Sequence, residues 1–337
     1  MWKKYLFGAL WLGGWALLLP ALISGQEIHW SSLDIQAVPA GQSSEPPVVS
    51  GARIQPGGPW LALVGDDHVI NLYNRRTGQF ERQLYDHTDW VRAACFSPDG
   101  QWLATAGNDR RILVRNMSDM DSVRELALHP AAIADLAVSA NGRLLAAVGF
   151  EDQVRVYSLA DGSRLHQMAA GCPDLRCVAF SPDGTTLAVG GRDGKIELFD
   201  VATGVSRGVR AVHDRRIRSI SFLTNRRLVS CGDDRTVRIT DLDDPARIQA
   251  LPVHGGKLFA LCVMTNGMLA TAGSDNIVYL WHPETLESVG QLTGHTGTIA
   301  CLDSMDDILV SGGFDTRIRI WTTDKMALEF QDPLIRR

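Results

Sequence analysis

In a regular register along this chain a glycine is followed two residues later by an acidic residue, at Gly65, Gly107, Gly149, Gly191, Gly232, Gly273 and Gly313. The successive steps are 42, 42, 42, 41, 41 and 40 residues. Eight residues past each glycine stand Tyr73, Arg115, Tyr157, Phe199, Thr240, Trp281 and Trp321. Such spacing marks a repeat architecture, in which one unit cannot bury its own apolar faces and must stack against neighbours on both sides. Residues 254–281 display the unit most fully. They run from a His through two apolar segments around an Asn-Gly turn, then Gly-Ser-Asp, then an alternating stretch ending in Trp.

Each repeat resolves into four short apolar segments, a to d. In the second repeat the pattern predicts strands over 91–96, 102–106, 112–116 and 123–128. Ser97-Pro98-Asp99-Gly100 separates a from b, with Pro pre-set for the second turn position and Gly at the fourth. Ser181-Pro182-Asp183-Gly184 repeats that turn, and Ser139-Ala140-Asn141-Gly142 approximates it. Four short strands with tight turns form an antiparallel meander. Seven meanders arranged radially form an all-β, seven-bladed propeller, which leaves only short, protected edges.

In this register the chain resembles the WD-repeat β-propeller family, over roughly residues 35–330. The resemblance implies that each blade is braced by a His before strand a, a Ser or Thr in strand b, an Asp in the b–c turn and a Trp in strand c. The sixth repeat matches at His254, Thr271, Asp275 and Trp281, and the seventh at His295, Ser311, Asp315 and Trp321. The second keeps His87, Thr105 and Asp109 but has Arg115 for the Trp; the fifth keeps His213, Ser230 and Asp234 but has Thr240. The third keeps His129 with Glu151 and Tyr157, the fourth has Asp193 and Phe199 with Gly171 for the His, and the first has only Asp67 and Tyr73. A buried carboxylate is costly unless it accepts hydrogen bonds, and imidazole, hydroxyl and indole groups can supply them. A neighbouring His and Asp also suggest part of a hydrolase triad. Their recurrence in several blades, with no Gly-x-Ser-x-Gly elbow, favours bracing.

At the N-terminus, Met1-Trp2-Lys3-Lys4 is a short basic head, followed by an uncharged, mostly apolar stretch to Gln26. That is the layout of an export signal or of an uncleaved anchor, and residues 1–25 are read as one or the other. The remainder is then expected outside the cytoplasmic membrane, whether periplasmic, secreted or anchored. Residues 26–47 have linker composition, yet Ile35-Gln36-Ala37-Val38 echoes Ile248-Gln249-Ala250-Leu251. A ring-closing strand is therefore expected over 35–38, as the outer strand of the seventh blade. Residues 327–330 are the alternative source. The propeller is expected over 48–330, with 331–337 as a tail.

Partner contacts are expected on the face where the d–a and b–c loops emerge. Its side chains flank the first apolar residue of strand a, or directly precede the turn acid: Trp90, Arg92, Phe150, Arg176, Arg192, Arg216, Arg218, Lys257, Phe259 and Phe314. With Arg215, blades four to six gather six cations on a short arc. Arg and aromatic residues are the usual anchors of interfaces, so an acidic or mixed peptide is the expected ligand. The simpler reading is a solvated charged surface, partly neutralised by Asp174, Asp214 and Asp233. A formal net charge of −5 argues against a nucleic-acid footprint. Neither a phosphate loop nor a metal-ligand motif occurs, and the six cysteines, lacking Cys-x-x-Cys spacing, read as apolar core residues without disulfides. The leading expectation is a non-catalytic exported scaffold with no cofactor. The rival is a propeller enzyme of the envelope, such as a quinone-dependent dehydrogenase.

Overall fold

Apolar alternation is sustained here for only five or six residues between Gly- and Asp-containing turns, so strands must be short and stacking must supply the stability. The computed structural model describes residues 30–41, 45–126, 128–244, 246–251 and 255–323. Within them lie seven four-stranded antiparallel sheets, each in the order a-b-c-d from the axis outward. The inner strands are Val49–Ile54, Val91–Phe96, Ile133–Val138, Leu175–Phe180, Ile217–Thr224, Leu258–Val263 and Ile299–Met305. In the second blade the others are Trp102–Gly107, Ile112–Asn116 and Val123–Glu125. The outer strand therefore stops three residues before its expected end.

The apolar residues bury between blades rather than within them. Seven hydrophobic clusters occur, each built from the facing sides of two adjacent blades. Four residues before each repeating glycine stands a leucine: Leu61, Leu103, Leu145, Leu187, Leu228, Leu269 and Leu309, none more than 1% exposed. Truncating a leucine so enclosed costs about 2–5 kcal/mol.

The a–b turns follow from their residues. Gly100 takes φ +69°, Ser97 Oγ donates to Asp99 Oδ1 at 2.5 Å, and Trp102 N donates to Ser97 Oγ at 2.9 Å. Ser181 and Asp183 repeat the arrangement at 2.6 Å, with Thr186 N on Ser181 Oγ at 3.0 Å.

The repeating glycine has a different cause. A Cβ on Gly107 would stand 2.0 Å from the Trp90 carbonyl oxygen; on Gly149, 2.2 Å from Ala132 O; on Gly273, 1.9 Å from Lys257 O. The other four meet the equivalent carbonyl at 2.1–2.3 Å. That carbonyl belongs to the residue before strand a, and in the second to seventh blades it accepts the N–H of the residue after the glycine, as in Asn108 N to Trp90 O at 2.9 Å. Only a residue without a side chain lets the two backbones approach so closely. Directly beside this contact every inner strand carries a β-bulge. The register skips one residue between Val91 and Ala93, and likewise at Ser50, Ala134, Arg176, Arg218, Phe259 and Ala300.

The outer strand of the seventh blade is Trp30–Gln36, paired antiparallel with Arg317–Thr323. It starts five residues before the expected 35–38 and ends at Gln36. The echo selects the right segment in the wrong register: Ile35 lies opposite Ile318, the level that Leu251 rather than Ile248 holds against Val237. Ala37 N and Gln36 Nε2 both donate to the Thr316 carbonyl, at 3.0 and 3.1 Å. Val38 N donates to Tyr73 Oη at 2.9 Å, which ties the seam to the first blade. The expected signal or anchor over 1–25, the alternative strand 327–330 and the tail 331–337 lie outside the described residues. Among the described residues, no helix is long and apolar enough to cross a membrane.

Candidate functional site

Two kinds of constellation compete for a functional reading, and the first is the bracing set. In the seventh blade His295 Nδ1–H donates to Asp315 Oδ2 at 2.8 Å, and Ser311 Oγ lies 2.7 Å from His295 Nε2. Trp321 Nε1–H donates to Ser311 Oγ at 2.8 Å. Burial holds the His295 ring below its ordinary pKa, opposed by Asp315. The neutral ring can then accept the Ser311 hydroxyl proton. This is the connectivity of a nucleophilic triad, yet Ser311 is wholly buried and an indole N–H occupies its oxygen. No substrate can reach it, so the set works as a brace.

The fifth blade repeats it with His213, Asp234 at 2.9 Å and Ser230 at 2.8 Å, and the second with His87, Asp109 at 2.7 Å and Thr105 at 2.9 Å. Burial acts to raise the pKa of Asp109 and Asp234; the His ring and nearby N–H groups outweigh it, so both carboxyls lie below the usual range. Where Trp is missing, Arg115 reaches Asp86, and Thr240 fills the fifth blade's position, buried. In the sixth blade Trp281 Nε1–H donates to Thr271 Oγ1 at 2.9 Å. Asp275 occupies the b–c turn there, and His254 lies outside the described residues.

The third blade departs from expectation. His129 does not meet Glu151; Arg155 stands between them, ion-paired to Glu151 and with Nη1 3.3 Å from His129 Nδ1. The other ring nitrogen pairs with Tyr157 Oη at 2.7 Å. Burial first, then Arg155 and Arg164, pulls the His129 pKa down to about 4.

The second constellation surrounds the axis. Each bulged residue is extra to its ladder, and a bulge re-aims its side chain. Ser50, Arg92, Ala134, Arg176, Arg218, Phe259 and Ala300 thus ring the mouth of a narrow cavity of about 140 Å³. Arg92 Cζ lies 4.3 Å from the Trp90 ring centroid and 5.1 Å from that of Phe150; Arg176 Cζ lies 3.8 Å from the same Phe150 ring. One phenyl ring therefore sits between two guanidiniums, and Arg218 lies 5.0 Å over Phe259.

Asp174 pairs with Arg176 at 2.7 Å and Arg216 at 3.3 Å, and Asp233 pairs with Arg218 at 2.8 Å and Arg216 at 4.0 Å. The neutralisation expected from Asp174 and Asp233 is thus present, whereas Asp214 faces Arg238 instead, at 3.7 Å. Arg92 differs from its neighbours: its Nε donates to the neutral Asn108 Oδ1 at 2.6 Å. Among the described residues no carboxylate pairs with it.

Seven of the expected contact residues, Trp90, Arg92, Phe150, Arg176, Arg216, Arg218 and Phe259, therefore form one network. Arg192, Lys257 and Phe314 are exposed outside it. Lys257 and Arg215 line a separate open cavity of about 560 Å³ between the fifth and sixth blades. Sequence reasoning overlooked three residues deeper in the bore: Arg53, Asp135 and Asp303. Asp135 accepts from Val178 N of the next blade at 3.0 Å, and Asp303 from Ile54 N at 2.7 Å. Burial raises Asp135 to about 6 against the pull of Arg53, and burial also lifts Asp303 above the usual carboxylate value, again opposed by Arg53. A charge within an otherwise apolar inner strand was the available signal.

The six cysteines are free thiols. Among the described residues, no group of three or more His, Cys, Asp or Glu side chains is placed to hold a metal ion.

Comparison with known proteins agrees with this geometry. The profile of the WD domain, G-beta repeat, matches residues 78–116, 163–200, 205–241, 246–282 and 286–322. Mitochondrial division protein 1 of Mycosarcoma maydis is 42% identical over 60 residues, 18% of this chain and 7% of that protein. Cell division control protein 4 of Candida albicans is 34% identical over 101 residues, 29% of this chain and 15% of that protein. Sterol regulatory element-binding protein cleavage-activating protein of Xenopus laevis is 32% identical over 95 residues, 28% of this chain and 7% of that protein. The chain thus spans only a small part of each relative.

Proposed function

Because the chain belongs to the WD-repeat family, we propose that it is a non-catalytic scaffold that binds a protein partner on the face carrying the axial mouth. The observation that carries this reading is the arginine–aromatic network from Trp90 to Phe259. Its guanidiniums stack on aromatic rings, each contact being worth about 0.5–2 kcal/mol depending on exposure. Stacked arginines and half-buried rings are pre-ordered, so binding loses less side-chain entropy. The partner segment is acidic or mixed in charge, to complement the arginines. A cofactor enzyme is the weaker reading: ligand pockets usually enclose about 300–1,000 Å³ with mostly apolar walls, whereas the axial cavity holds about 140 Å³ and the cavity of about 560 Å³ between the fifth and sixth blades is open and lined mainly by charged side chains.

We further propose that the propeller works outside the cytoplasmic membrane. The basic head and uncharged stretch of the N-terminal sequence support this. The seam strand contributes an orientation. Trp30 pairs with Thr323, at the end of strand c remote from the Asp315 turn, so residues before Trp30 join at the face opposite the mouth. An anchored propeller would present its mouth away from the bilayer.

The test is charge reversal, Arg176→Glu with Arg218→Glu, followed by affinity capture from envelope extracts and comparison of the captured proteins. Loss of a defined subset is expected. Identical capture by wild type and variant refutes the site.

A further inference from the structure

Around the axis Arg176, Arg216 and Arg218 are ion-paired to carboxylates and Arg53 donates to the Ala52 and Leu302 carbonyls, whereas Arg92 has no carboxylate partner among the described residues. Arg176 and Arg218 each receive two contacts from one aspartate, at 2.7 and 3.0 Å from Asp174 and at 2.8 and 3.1 Å from Asp233. In the bore Asp135 and Asp303 lie near Arg53, and both also hold a strand N–H of the next blade. Asp89, the nearest remaining acid, is taken up by Trp90 N at 2.6 Å and Asn108 Nδ2 at 3.5 Å. Arg92 is left with a single bond, from Nε to an amide oxygen, and its two Nη groups have no protein acceptor among the described residues. It is also half-buried and shares the Phe150 ring with Arg176. Burial first, and then the Arg176 charge, lowers the Arg92 pKa, with Asp89 opposing.

Two like charges on one ring, one of them unpaired, form a cost that an incoming anion relieves. The free edge of a guanidinium is a planar fork matched to a carboxylate. The ring of bulged residues leaves room for approach, because Ser50 and Ala134, which flank Arg92 around the mouth, are small. A cavity of about 140 Å³ accepts one side-chain head and little more.

We propose that the axial mouth is a receptor for a single carboxylate of an acidic peptide segment, held by the two free Nη groups of Arg92, with Phe150 at its side and Arg176 beyond that ring. This rests on the reading that partners dock on this face, and it names the group that they insert.

The experiment is fluorescence anisotropy of a dye-labelled acetyl-(Ala-Glu)4-amide peptide titrated with the full chain. Salt-sensitive binding is expected for wild type and none for the (Ala-Gln)4 counterpart. Arg92→Gln, which keeps most of the stem, should weaken binding roughly tenfold, and Arg92→Lys, which keeps the charge but loses the fork, about threefold. Arg76→Ala, an exposed change on the opposite face, should leave binding unaltered. Circular dichroism and melting of both Arg92 variants establish that they fold. Three outcomes overturn the proposal: no wild-type binding, equal binding of the Gln peptide, or Arg92→Gln within twofold of wild type. Tighter binding of a phosphoserine peptide by tenfold or more overturns the carboxylate assignment. If extract partners survive Arg92→Gln but are lost on Arg176→Glu with Arg218→Glu, the mouth is refuted and the face reading stands.

Discussion

The seventh and third blades solve one mechanical problem with opposite chemistry. In the seventh, the imidazole of His295 lies between a carboxylate and a hydroxyl: Nδ1–H donates to Asp315 and Nε2 accepts from Ser311. In the third, Ala147 stands where that hydroxyl would be, and the carboxylate is screened by Arg155. There Nδ1 of His129 faces a cation and must accept, so the proton sits on Nε2 and goes to Tyr157 Oη. Each brace thus holds its ring between two partners, and which nitrogen of the neutral ring carries the proton is set by the neighbour. The seventh blade can tolerate a charged ring beside its carboxylate. The third cannot.

Breaking the carboxylate in each blade should give the largest losses, by different routes: stranded N–H groups in the seventh, an unpaired buried charge in the third. Asp315→Ala strands the His295 N–H together with the N–H groups of Thr296 and Arg317, and should cost about 4 kcal/mol in urea unfolding. Glu151→Ala takes both carboxylate contacts from Arg155, which is 4% exposed, and leaves that charge buried and unpaired beside His129, so it should cost about 3–5 kcal/mol. Adding Arg155→Met should recover most of the second loss, because no unpaired charge then remains; no recovery would mean that the acid braces the third blade as it does the seventh.

Acid should expose the second difference. The folded pKa of His129 is depressed to about 4 from 6.5. Stability from this ring is full above pH 6.5 and declines as pH falls towards 4, because only the unfolded chain takes up the proton. The loss amounts to roughly 3 kcal/mol, and His129→Gln should flatten that limb of the stability–pH curve. His295 is depressed too, but Asp315 opposes the shift, so His295→Gln should flatten the curve less. A larger effect at His295 would reverse the comparison.

The smallest effect concerns the outer partner. Trp321→Phe keeps the ring but loses the bond to Ser311, at about 1 kcal/mol. Phe199→Trp in the fourth blade should gain nothing, since Val189 occupies the level at which Ser311 accepts. Melting temperatures of the two variants would check this.

Much of this was legible before any coordinates. The glycine spacing gives the blade count, the Ser-x-Asp-Gly turns give the a–b connections, and the bracing residues of the second, fifth and seventh blades meet as their types predict. The third blade differs because Arg155, two residues before Tyr157 on the same strand, carries no sign in the sequence that it intrudes between His129 and Glu151. The mouth was half legible. Alternation correctly groups Arg92 with Trp90, but a bulge changes pairing without changing composition, so nothing in the residue types announces that seven side chains turn toward one axis. The bore charges were visible as letters, yet only the ring brings Arg53, Asp135 and Asp303 together.

The seam has a consequence for how such a ring is made. Ser31 bonds Thr322 across 291 residues of chain, so the seam strand, made before any of the inner strands, waits unpaired until the last sheet has emerged. Six sheets can assemble neighbour upon neighbour as they are synthesised. The seventh cannot, and closure is therefore the slow, long-range step during which a chaperone or a partner has its opportunity to act.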